Sequence, residues 1–80
     1  MTPARKEPDT KTYSGRFAVR LRTLREKAKL SAEEVAEALG VSVHTVYHWE
    51  SSRRQPQIID LPRIAEVLGV SKARLVLPDE

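Results

Sequence analysis

Side chains suited to recognising a partner are concentrated on one side of a helix predicted from Val43 to Glu50. At about 100° per residue, Val46, Trp49 and Thr45 cluster on the other side, where the two large apolar residues predict contact with a core. The remaining side, called here the contact face, consists of Val43, His44, Tyr47, His48 and Ser51. Because a solvated helix face more usually carries Lys, Glu and Gln, this composition indicates a surface that contacts a partner.

Two histidines of the contact face, His44 and His48, are spaced at i, i+4 and could together chelate zinc. No Glu follows His44, as a metalloprotease motif requires, and no third ligand is evident. The sequence also has no cysteine nucleophile, no glycine-rich phosphate-binding loop and no convincing pair of catalytic carboxylates. We therefore expect neither an enzyme nor a metal site, and nothing in the sequence points to a cofactor or a small-molecule ligand.

Two helices joined by a tight turn are predicted to position the contact face. Ser31 and Glu34 have the S-x-x-E spacing of a capping box, which marks the start of the first helix of the pair. Gly40 can adopt the left-handed conformation that ends a helix without strain. Ser42 can then cap the second helix, starting at Val43. Two helices separated by a short turn with glycine are typical of a helix-turn-helix.

The first thirteen residues are mostly polar, contain two prolines and show no apolar periodicity. They are predicted to form a disordered tail (residues 1–13) ahead of a folded domain (residues 14–80). A first helix is predicted from about Gly15 to Ala28, with Ser14 as its cap. Its apolar stripe, spaced at i, i+4, i+7 and i+11, consists of Phe17, Leu21, Leu24 and Ala28.

The C-terminal part of the chain predicts two more helices. Pro62 is tolerated only in a first turn, so a fourth helix is predicted to start near Asp60, with Asp60 as its cap, and to end at Gly69. Ser71 can cap a short last helix. Four further apolar residues are predicted to lie in the core or in an interface: Ile58, Val70, Leu75 and Leu77. No convincing strand pattern appears, so we expect an all-α, compact bundle of about five short helices.

The composition limits the class of protein. Eighty residues form one small domain with a modest core. The absence of cysteine excludes disulfides and thiolate metal sites, and it fits a cytoplasmic location. No apolar run reaches the length of a transmembrane helix, which argues against membrane insertion. Lys and Arg exceed Asp and Glu by 14 to 11, and the resulting net charge of +3 permits nucleic-acid binding without requiring it.

Three segments flanking the central pair of helices carry a family resemblance at intact spacing: L-R-T-L-R-E-K-A, W-E-S-S-R-R-Q-P and L-P-R-I-A-E-V-L-G-V-S. From about Phe17 to Leu77 the chain resembles the phage Cro and repressor helix-turn-helix family, also called XRE-like regulators. The resemblance implies a lambda-repressor-like domain that binds double-stranded DNA in the major groove. It also implies transcriptional regulation, with repression the commoner use, and homodimers that form at least on DNA.

The resemblance assigns roles to individual residues. It places base contacts at Val43, His44 and His48, and phosphate contacts at Ala32, Arg53 and Arg54. Tyr47 lies between the base readers on the same face and is also a candidate base contact, and the hydroxyls of Ser42, Thr45 and Ser51 are further candidate phosphate contacts. Structural roles fall on Gly40, Trp49 and an Arg25–Glu50 pair that ties the first helix to the recognition helix. Ala32 stands where the family often has a glutamine that reaches a phosphate, so that contact is lost or made by the backbone.

Other departures from the family pattern affect two turns and the contact face. Lys29 and Ser52 stand where the family often has glycines, at positions that often need positive φ. The contact face also contains no Arg, Lys, Gln or Asn. An alternative hypothesis is therefore a protein-interaction module of the same fold, an antitoxin or an adaptor, using the same exposed helix face. For a homodimer, we expect contributions from the segment Leu75, Val76 and Leu77.

Overall fold

The protein is described by a computed structural model that covers residues 11–76. Within that range every regular element is helical. The elements are α1 (Tyr13–Lys27), α2 (Ala32–Leu39), α3 (Val43–Glu50), a 3₁₀ turn (Ile58–Asp60), α4 (Leu61–Leu68) and α5 (Lys72–Val76). The predicted all-α bundle of about five short helices is confirmed.

Each helix turns an apolar side toward one shared core. Its buried apolar residues are Phe17, Ala18, Leu21, Leu24, Ala32, Val35, Ala36, Leu39, Val46, Trp49, Ile64, Ala65, Leu68 and Leu75. Helix α3 packs against α1 and α2. Helix α4 packs against α2, and α5 packs against α1 and α4. None of the helices in residues 11–76 has both the length and the apolar composition that crossing a bilayer requires.

Helix α1 begins two residues earlier than the sequence predicted. Thr12 supplies the cap, since its hydroxyl oxygen accepts a hydrogen bond of 3.0 Å from the backbone N–H of Gly15. Ser14, the predicted cap, lies inside the helix, and its hydroxyl shares a hydrogen bond of 2.8 Å with that of Ser52. Ser and Thr both cap helices well, so local sequence could not choose between them. The predicted tail therefore loses its last residue to α1, and residues 1–10 lie outside the described residues.

The apolar stripe of α1 is confirmed at Phe17, Leu21 and Leu24, which are buried. Ala28, its predicted fourth member, is exposed. Ala28 is the C-cap of α1, and Lys29 directly after it has a φ of 61°, which turns the chain out of the helix. The predicted stripe therefore extends one turn beyond the part of α1 that faces the core.

Asp60 does not cap α4 as predicted. Its own backbone is already helical, with φ −82° and ψ −19°, because the 3₁₀ turn continues directly into α4. Its carboxylate instead accepts a hydrogen bond of 3.2 Å from the backbone N–H of Gln57, at the start of the 3₁₀ turn. Pro62 stands in the first turn of α4, as expected. Ser71 caps α5 as predicted, since its hydroxyl accepts a hydrogen bond of 3.1 Å from the N–H of Arg74.

The four apolar residues predicted for the core or an interface have different outcomes. Leu75 is completely buried, and Val70 is partly buried against the core. Ile58 is 85% exposed, so it lies outside the core, and of its two predicted places only the interface remains. Leu77 lies outside the described residues. Because Leu75 is inaccessible, it cannot make the dimer contact predicted for it.

Candidate nucleic-acid interface

The turn between α2 and α3 sets the direction of the contact face. Gly40 has a φ of 73°, in the left-handed region, as predicted. The N–H of Val41 donates a hydrogen bond of 3.0 Å to the carbonyl of Ala36, which closes the end of α2. Nothing lies within 4 Å of the position that a Cβ at Gly40 would occupy, so its backbone conformation, and not crowding, is what requires glycine.

Both helices of the pair carry the predicted caps. The Ser31 hydroxyl accepts from the N–H of Glu34 at 3.0 Å, and the Glu34 carboxylate accepts from the N–H of Ser31 at 2.7 Å, which completes a capping box. The Ser42 hydroxyl accepts from the N–H of Thr45 at 3.2 Å, so α3 starts at Val43. The N-terminus of α3 is thus fixed by its own side chains while it stays at the surface.

The C-terminal end of α3 is tied to α1 by the predicted Arg25–Glu50 pair. Nε of Arg25 lies 2.6 Å from Oε2 of Glu50, and Nη2 of Arg25 lies 3.0 Å from Oε1 of Glu50. Nη1 of Arg25 donates a third hydrogen bond, of 2.9 Å, to the carbonyl of Leu30. The Glu50 side chain is only 1% exposed, so this is a buried, two-pronged ion pair whose removal would leave a charge without a partner.

The guanidinium of Arg25 keeps its positive charge across the neutral pH range. Its side-chain hydrogen bonds to the Glu50 carboxylate, which accepts them, raise the pKa of the Arg25 guanidinium above its usual value, and this outweighs the lowering that burial causes. A cation with a raised pKa contributes stability that is fully present below its unfolded pKa and lost only as pH rises through the folded pKa. The link between α1 and α3 is therefore insensitive to deprotonation of Arg25 across the neutral pH range.

The contact face is less uniform than its predicted members suggest. His44 is exposed and His48 is half-buried, at one-turn spacing along α3. Val43 and Tyr47 are also half-buried, and both pack against the edge of the core. The sequence placed Val43 and Tyr47 wholly on the contact face, whereas each has one side against the core and the other toward solvent. Trp49 lies in the core, as predicted.

A residue that sequence reasoning missed, Glu33, reaches the contact face from α2. Its Oε2 accepts a long hydrogen bond of 3.5 Å from the hydroxyl of Tyr47. The Tyr47 ring in turn stands edge-on to the ring of His44, with centroids 6.3 Å apart and planes at 72°. The three side chains form a row across the two helices. Only the packing of α2 against α3 brings them together, so no spacing within one helix could have indicated it.

The loop after α3 carries the two predicted phosphate-binding arginines. The backbone N–H groups of Arg53 and Arg54 both donate to the carbonyl of His48, at 3.0 and 3.3 Å, which folds the loop back against the end of α3. Both arginines are exposed, and their guanidinium groups have no hydrogen-bond or ion-pair partner within residues 11–76. They are therefore available to an external anion beside the contact face.

Two turns keep a left-handed residue without glycine. Lys29 has a φ of 61° and Ser52 a φ of 66°, so both turns keep positive φ although neither residue is glycine, and the difference in turn geometry that the missing glycines suggested does not occur. Non-glycine residues pay a free-energy cost there. At Ser52 the hydrogen bond between its hydroxyl and that of Ser14 ties the loop to α1. The chain therefore retains the turn geometry of the resembled family and offsets part of its cost by a side-chain contact.

The other predicted phosphate-binding positions differ in what they can offer. Ala32 is buried and its methyl side chain has no hydrogen-bonding group, so a phosphate contact at this position is limited to its backbone N–H. The hydroxyls of Ser42 and Thr45 lie 3.3 Å apart and share a hydrogen bond. The Ser51 hydroxyl donates to the carbonyl of His48 at 3.3 Å. Ala32 lies at the N-terminus of α2 and Ser42 and Thr45 at that of α3, where exposed backbone N–H groups can hold phosphate. Ser51 lies at the C-terminal end of α3, where only its hydroxyl could contact a phosphate.

Within residues 11–76, no cluster of three or more His, Asp or Glu side chains is arranged to hold a metal ion. His44 and His48 stand without a carboxylate or a third imidazole near enough to complete a site. What the contact face and its loop can do is donate and accept hydrogen bonds and attract negative charge.

Comparison with known proteins identifies this architecture. Residues 16–76 match the family described as a helix-turn-helix domain. The chain belongs to this family. It is 33% identical over 64 residues to the cryptic phage CTXphi transcriptional repressor RstR of Vibrio cholerae. The aligned residues make up 80% of this chain and 58% of RstR. The crystal structure of the hypothetical transcription factor NHTF from Neisseria superposes with a TM-score of 0.78 at 28% identity, over 98% of this chain and 88% of NHTF.

Another relative has the name of an enzyme. The chain is 38% identical over 71 residues to (S)-2-hydroxypropylphosphonic acid epoxidase of Streptomyces wedmorensis, which covers 88% of this chain but 36% of the epoxidase. The chain thus spans 58% of the length of RstR and 36% of the length of the epoxidase. A segment similar to this chain therefore also occurs within a much longer polypeptide.

Proposed function

We propose that this helix-turn-helix domain binds double-stranded DNA with α3 in the major groove and acts as a sequence-specific transcriptional regulator, in the mode of a repressor. The observation that carries the proposal is the way in which α3 is held in the fold. Its apolar side packs in the core and the buried Arg25–Glu50 pair fixes its C-terminal end, while its other side exposes His44 to solvent. An α-helix with one side exposed in this way fits the major groove of B-DNA. Family membership and the similarity to RstR support the same function.

The contact face supports a mixed mode of base reading. His44 and His48 can donate hydrogen bonds to N7 and O6 of guanine, and Val43 can contact the methyl group of thymine. The Tyr47 hydroxyl can donate to a base or a phosphate if it exchanges its long hydrogen bond with Glu33 for one with DNA. A good base contact contributes about 1–3 kcal/mol of discrimination between base pairs.

Affinity in this proposal comes mainly from the surroundings of α3. Arg53 and Arg54 would contact phosphates and fix the register of the helix in the groove. The N-termini of α2 and α3, through the N–H of Ala32 and the caps at Ser42, would hold two more phosphates. Thr45 and Ser51 would add hydroxyl contacts. Because α3 contains no Lys or Arg, the salt-dependent attraction to phosphate comes from the loop in this proposal.

The proposal treats the chain as a regulator and not as an enzyme. The similar epoxidase shares only this domain with the chain, over 36% of the epoxidase's length, so its activity is not transferred. The proposed partners are double-stranded DNA in the cytoplasm and a second copy of the chain on that DNA. No cofactor or small-molecule ligand is proposed.

A protein-interaction role is the second candidate, and Glu33 is the observation that favours it. Its carboxylate lies at the edge of the contact face and engages Tyr47, where it would repel a phosphate. A protein partner with a basic or aromatic surface would instead be compatible with the Glu33 carboxylate. The two candidates are separated by the two exposed arginines, which a DNA binder requires and a protein binder need not.

The test compares two variants that each remove two positive charges. Arg53→Gln/Arg54→Gln removes the proposed phosphate contacts. Lys72→Gln/Arg74→Gln removes two exposed cations from α5, whose main packing partners are α1 and α4. Binding to a generic duplex is measured by fluorescence anisotropy at several salt concentrations. The first variant should bind more weakly and lower the slope of log K against log salt by about 1 for each lost contact.

The α5 variant should keep nearly the full slope. Equal slopes for the wild-type chain and the loop variant would exclude the loop from DNA binding. Absence of salt-dependent binding in the wild-type chain itself would contradict the proposed function and favour the protein-interaction role.

A further inference from the structure

Both histidines of the chain lie on the contact face. His44 is exposed and His48 is half-buried, one turn apart on α3. Histidine is the side chain whose charge ordinarily changes between about pH 5 and 8, and cysteine, which can also titrate there, is absent from the chain. A change of pH within this range therefore alters charge on the surface that is proposed to contact DNA, and it leaves the ionised side chains elsewhere largely as they are.

The two histidines are the groups through which α3 can gain positive charge, because the helix contains no Lys or Arg. With both histidines neutral the chain has a formal net charge of +3, and each protonation adds one positive charge. Within residues 11–76 neither imidazole has a hydrogen-bond or ion-pair partner. A positive charge gained on either ring is therefore not consumed by an ion pair inside the fold and remains available to a bound phosphate or base.

A negative charge lies close to His44. The Glu33 carboxylate, from α2, accepts from the Tyr47 hydroxyl, and the Tyr47 ring stands edge-on to the His44 ring. The other carboxylates of α2 are Glu34, which is bound in the capping box, and Glu37, one turn after Glu33. Glu33 at the edge of the contact face would repel a phosphate. A positive charge on His44 offsets that repulsion, whereas a neutral imidazole leaves it unopposed.

The surroundings of His48 are set by α1 and by the loop after α3. Arg25, from α1, is bound to Glu50 at the end of the helix, so these two charges balance each other. The backbone N–H groups of Arg53 and Arg54 donate to the carbonyl of His48, which brings the loop to this end of α3. Phosphates held by the loop would therefore lie near His48, and nearby negative charge favours a protonated imidazole.

Resting on the proposed function, we infer that DNA binding by this chain takes up protons on His44 and His48, so that affinity rises as the pH falls from about 8 to about 5.5. Duplex DNA carries one negative charge for about every 1.7 Å of its axis. An imidazole in that field holds its proton more firmly than in the free chain. By linkage, the affinity gained at low pH, where the imidazoles are protonated, is lost as the pH rises and they become neutral in both states.

The first test measures binding of the full 80-residue chain to a generic duplex by fluorescence anisotropy, from about pH 5.5 to 8 at one low ionic strength. The affinity of the wild-type chain should rise about tenfold on acidification, roughly threefold for each imidazole, which is the size expected of one exposed charge. His44→Gln/His48→Gln removes every histidine from the chain and retains polar side chains. The affinity of this variant should change by less than about twofold over the same range.

Two further variants assign the response to the contact face. His44→Lys/His48→Lys carries positive charges that do not titrate in this range, so it should bind about as tightly at high pH as at low pH. Lys72→Gln/Arg74→Gln removes two exposed cations from α5 and should keep the tenfold response of the wild-type chain.

A second test counts the protons directly. Calorimetric titration of the wild-type chain with the duplex, near neutral pH in two buffers with different heats of ionisation, gives the number of protons taken up on binding. A tenfold response shared by two groups corresponds to uptake of about half a proton at the midpoint of the transition. His44→Gln/His48→Gln should take up almost none.

The outcomes separate this inference from the function on which it rests. Equal affinity of the wild-type chain at both ends of the pH range, or the same rise in His44→Gln/His48→Gln, would overturn the inference while DNA binding stands. Binding of the wild-type chain without proton uptake would do the same. Absence of binding by the wild-type chain at every pH would overturn both the inference and the proposed function.

Discussion

The two ends of α3 are held in opposite ways. The C-terminal end is fixed by buried groups: Trp49 lies in the core, and Glu50 is engaged by two nitrogens of Arg25. The N-terminal end is held by the exposed cap of Ser42, and His44 just after it faces solvent. The comparison teaches how one eight-residue helix serves two purposes. Its buried end specifies position, and its open end remains free to vary in what it recognises.

The buried end should carry the largest effect. Glu50→Ala leaves the partly buried guanidinium of Arg25 without its partner, so we expect a loss of about 3–5 kcal/mol in the free energy of unfolding. Urea denaturation followed by circular dichroism measures it. The control is Glu26→Ala, which breaks an exposed pair of 3.4 Å between Arg22 and Glu26 and should cost less than about 0.5 kcal/mol. Similar losses for both variants would mean that burial of the Glu50 pair has no special importance.

The open end should affect recognition and leave stability nearly unchanged. His44→Ala removes an exposed side chain, so its free energy of unfolding should change by less than about 0.5 kcal/mol. Its discrimination among duplexes should fall by about 1–3 kcal/mol at one base-pair position. This discrimination is measured by binding to a panel of single-base variants of a site selected from a random duplex library. Unaltered base preference would remove His44 from the set of base readers.

The turns on either side of α2 allow a smaller, two-directional test. Lys29 has a left-handed backbone, which costs free energy in a residue with a Cβ atom. Lys29→Gly removes that cost and should stabilise the fold by about 0.5–1 kcal/mol. Gly40→Ala introduces that cost where no neighbouring atom crowds a Cβ, and it should destabilise by about 1 kcal/mol. Thermal melts should therefore shift in opposite directions. Shifts of the same sign would show that these turns relax away from positive φ.

The smallest expected effect concerns Glu33, a residue of α2 whose carboxylate lies at the edge of the contact face. Glu33→Gln retains an oxygen that can accept from the Tyr47 hydroxyl but removes a negative charge from the edge of the contact face. Affinity for a generic duplex at low salt should rise about two- to threefold, the size expected of one exposed charge. Glu37→Gln, an exposed carboxylate near the other end of α2, is the charge-matched control. A fall in affinity would mean that Glu33 assists DNA binding.

The parts of the fold that sequence reasoning predicted correctly depend on neighbours along the chain. The capping box at Ser31 and Glu34, the left-handed Gly40 and the cap at Ser42 are each set by residues within four positions. Such contacts form in any context that allows the helices. The Arg25–Glu50 pair spans 25 residues, and it was predicted only because a family resemblance supplied it.

The features that sequence reasoning missed are decided by packing between elements. Ser14 and Thr12 cap a helix with similar energy, and the contact of Ser14 with Ser52 on another element accompanies the choice of Thr12. Ile58 is apolar, as core residues are, but its position in the 3₁₀ turn leaves it exposed to solvent. The approach of Glu33 to Tyr47 arises only when α2 crosses α3. No periodicity within a single helix contains that information.

The central claim is that the open side of α3 and the loop after it contact DNA. The most direct measurement is a titration of ¹⁵N-labelled chain with a generic duplex at low salt, where even non-specific electrostatic binding is visible. Amide shifts that fade as salt rises should concentrate at Ala32, Val43, His44, Tyr47, His48, Arg53 and Arg54. A spectrum that does not change, or changes confined to α4 and α5, would contradict the claim.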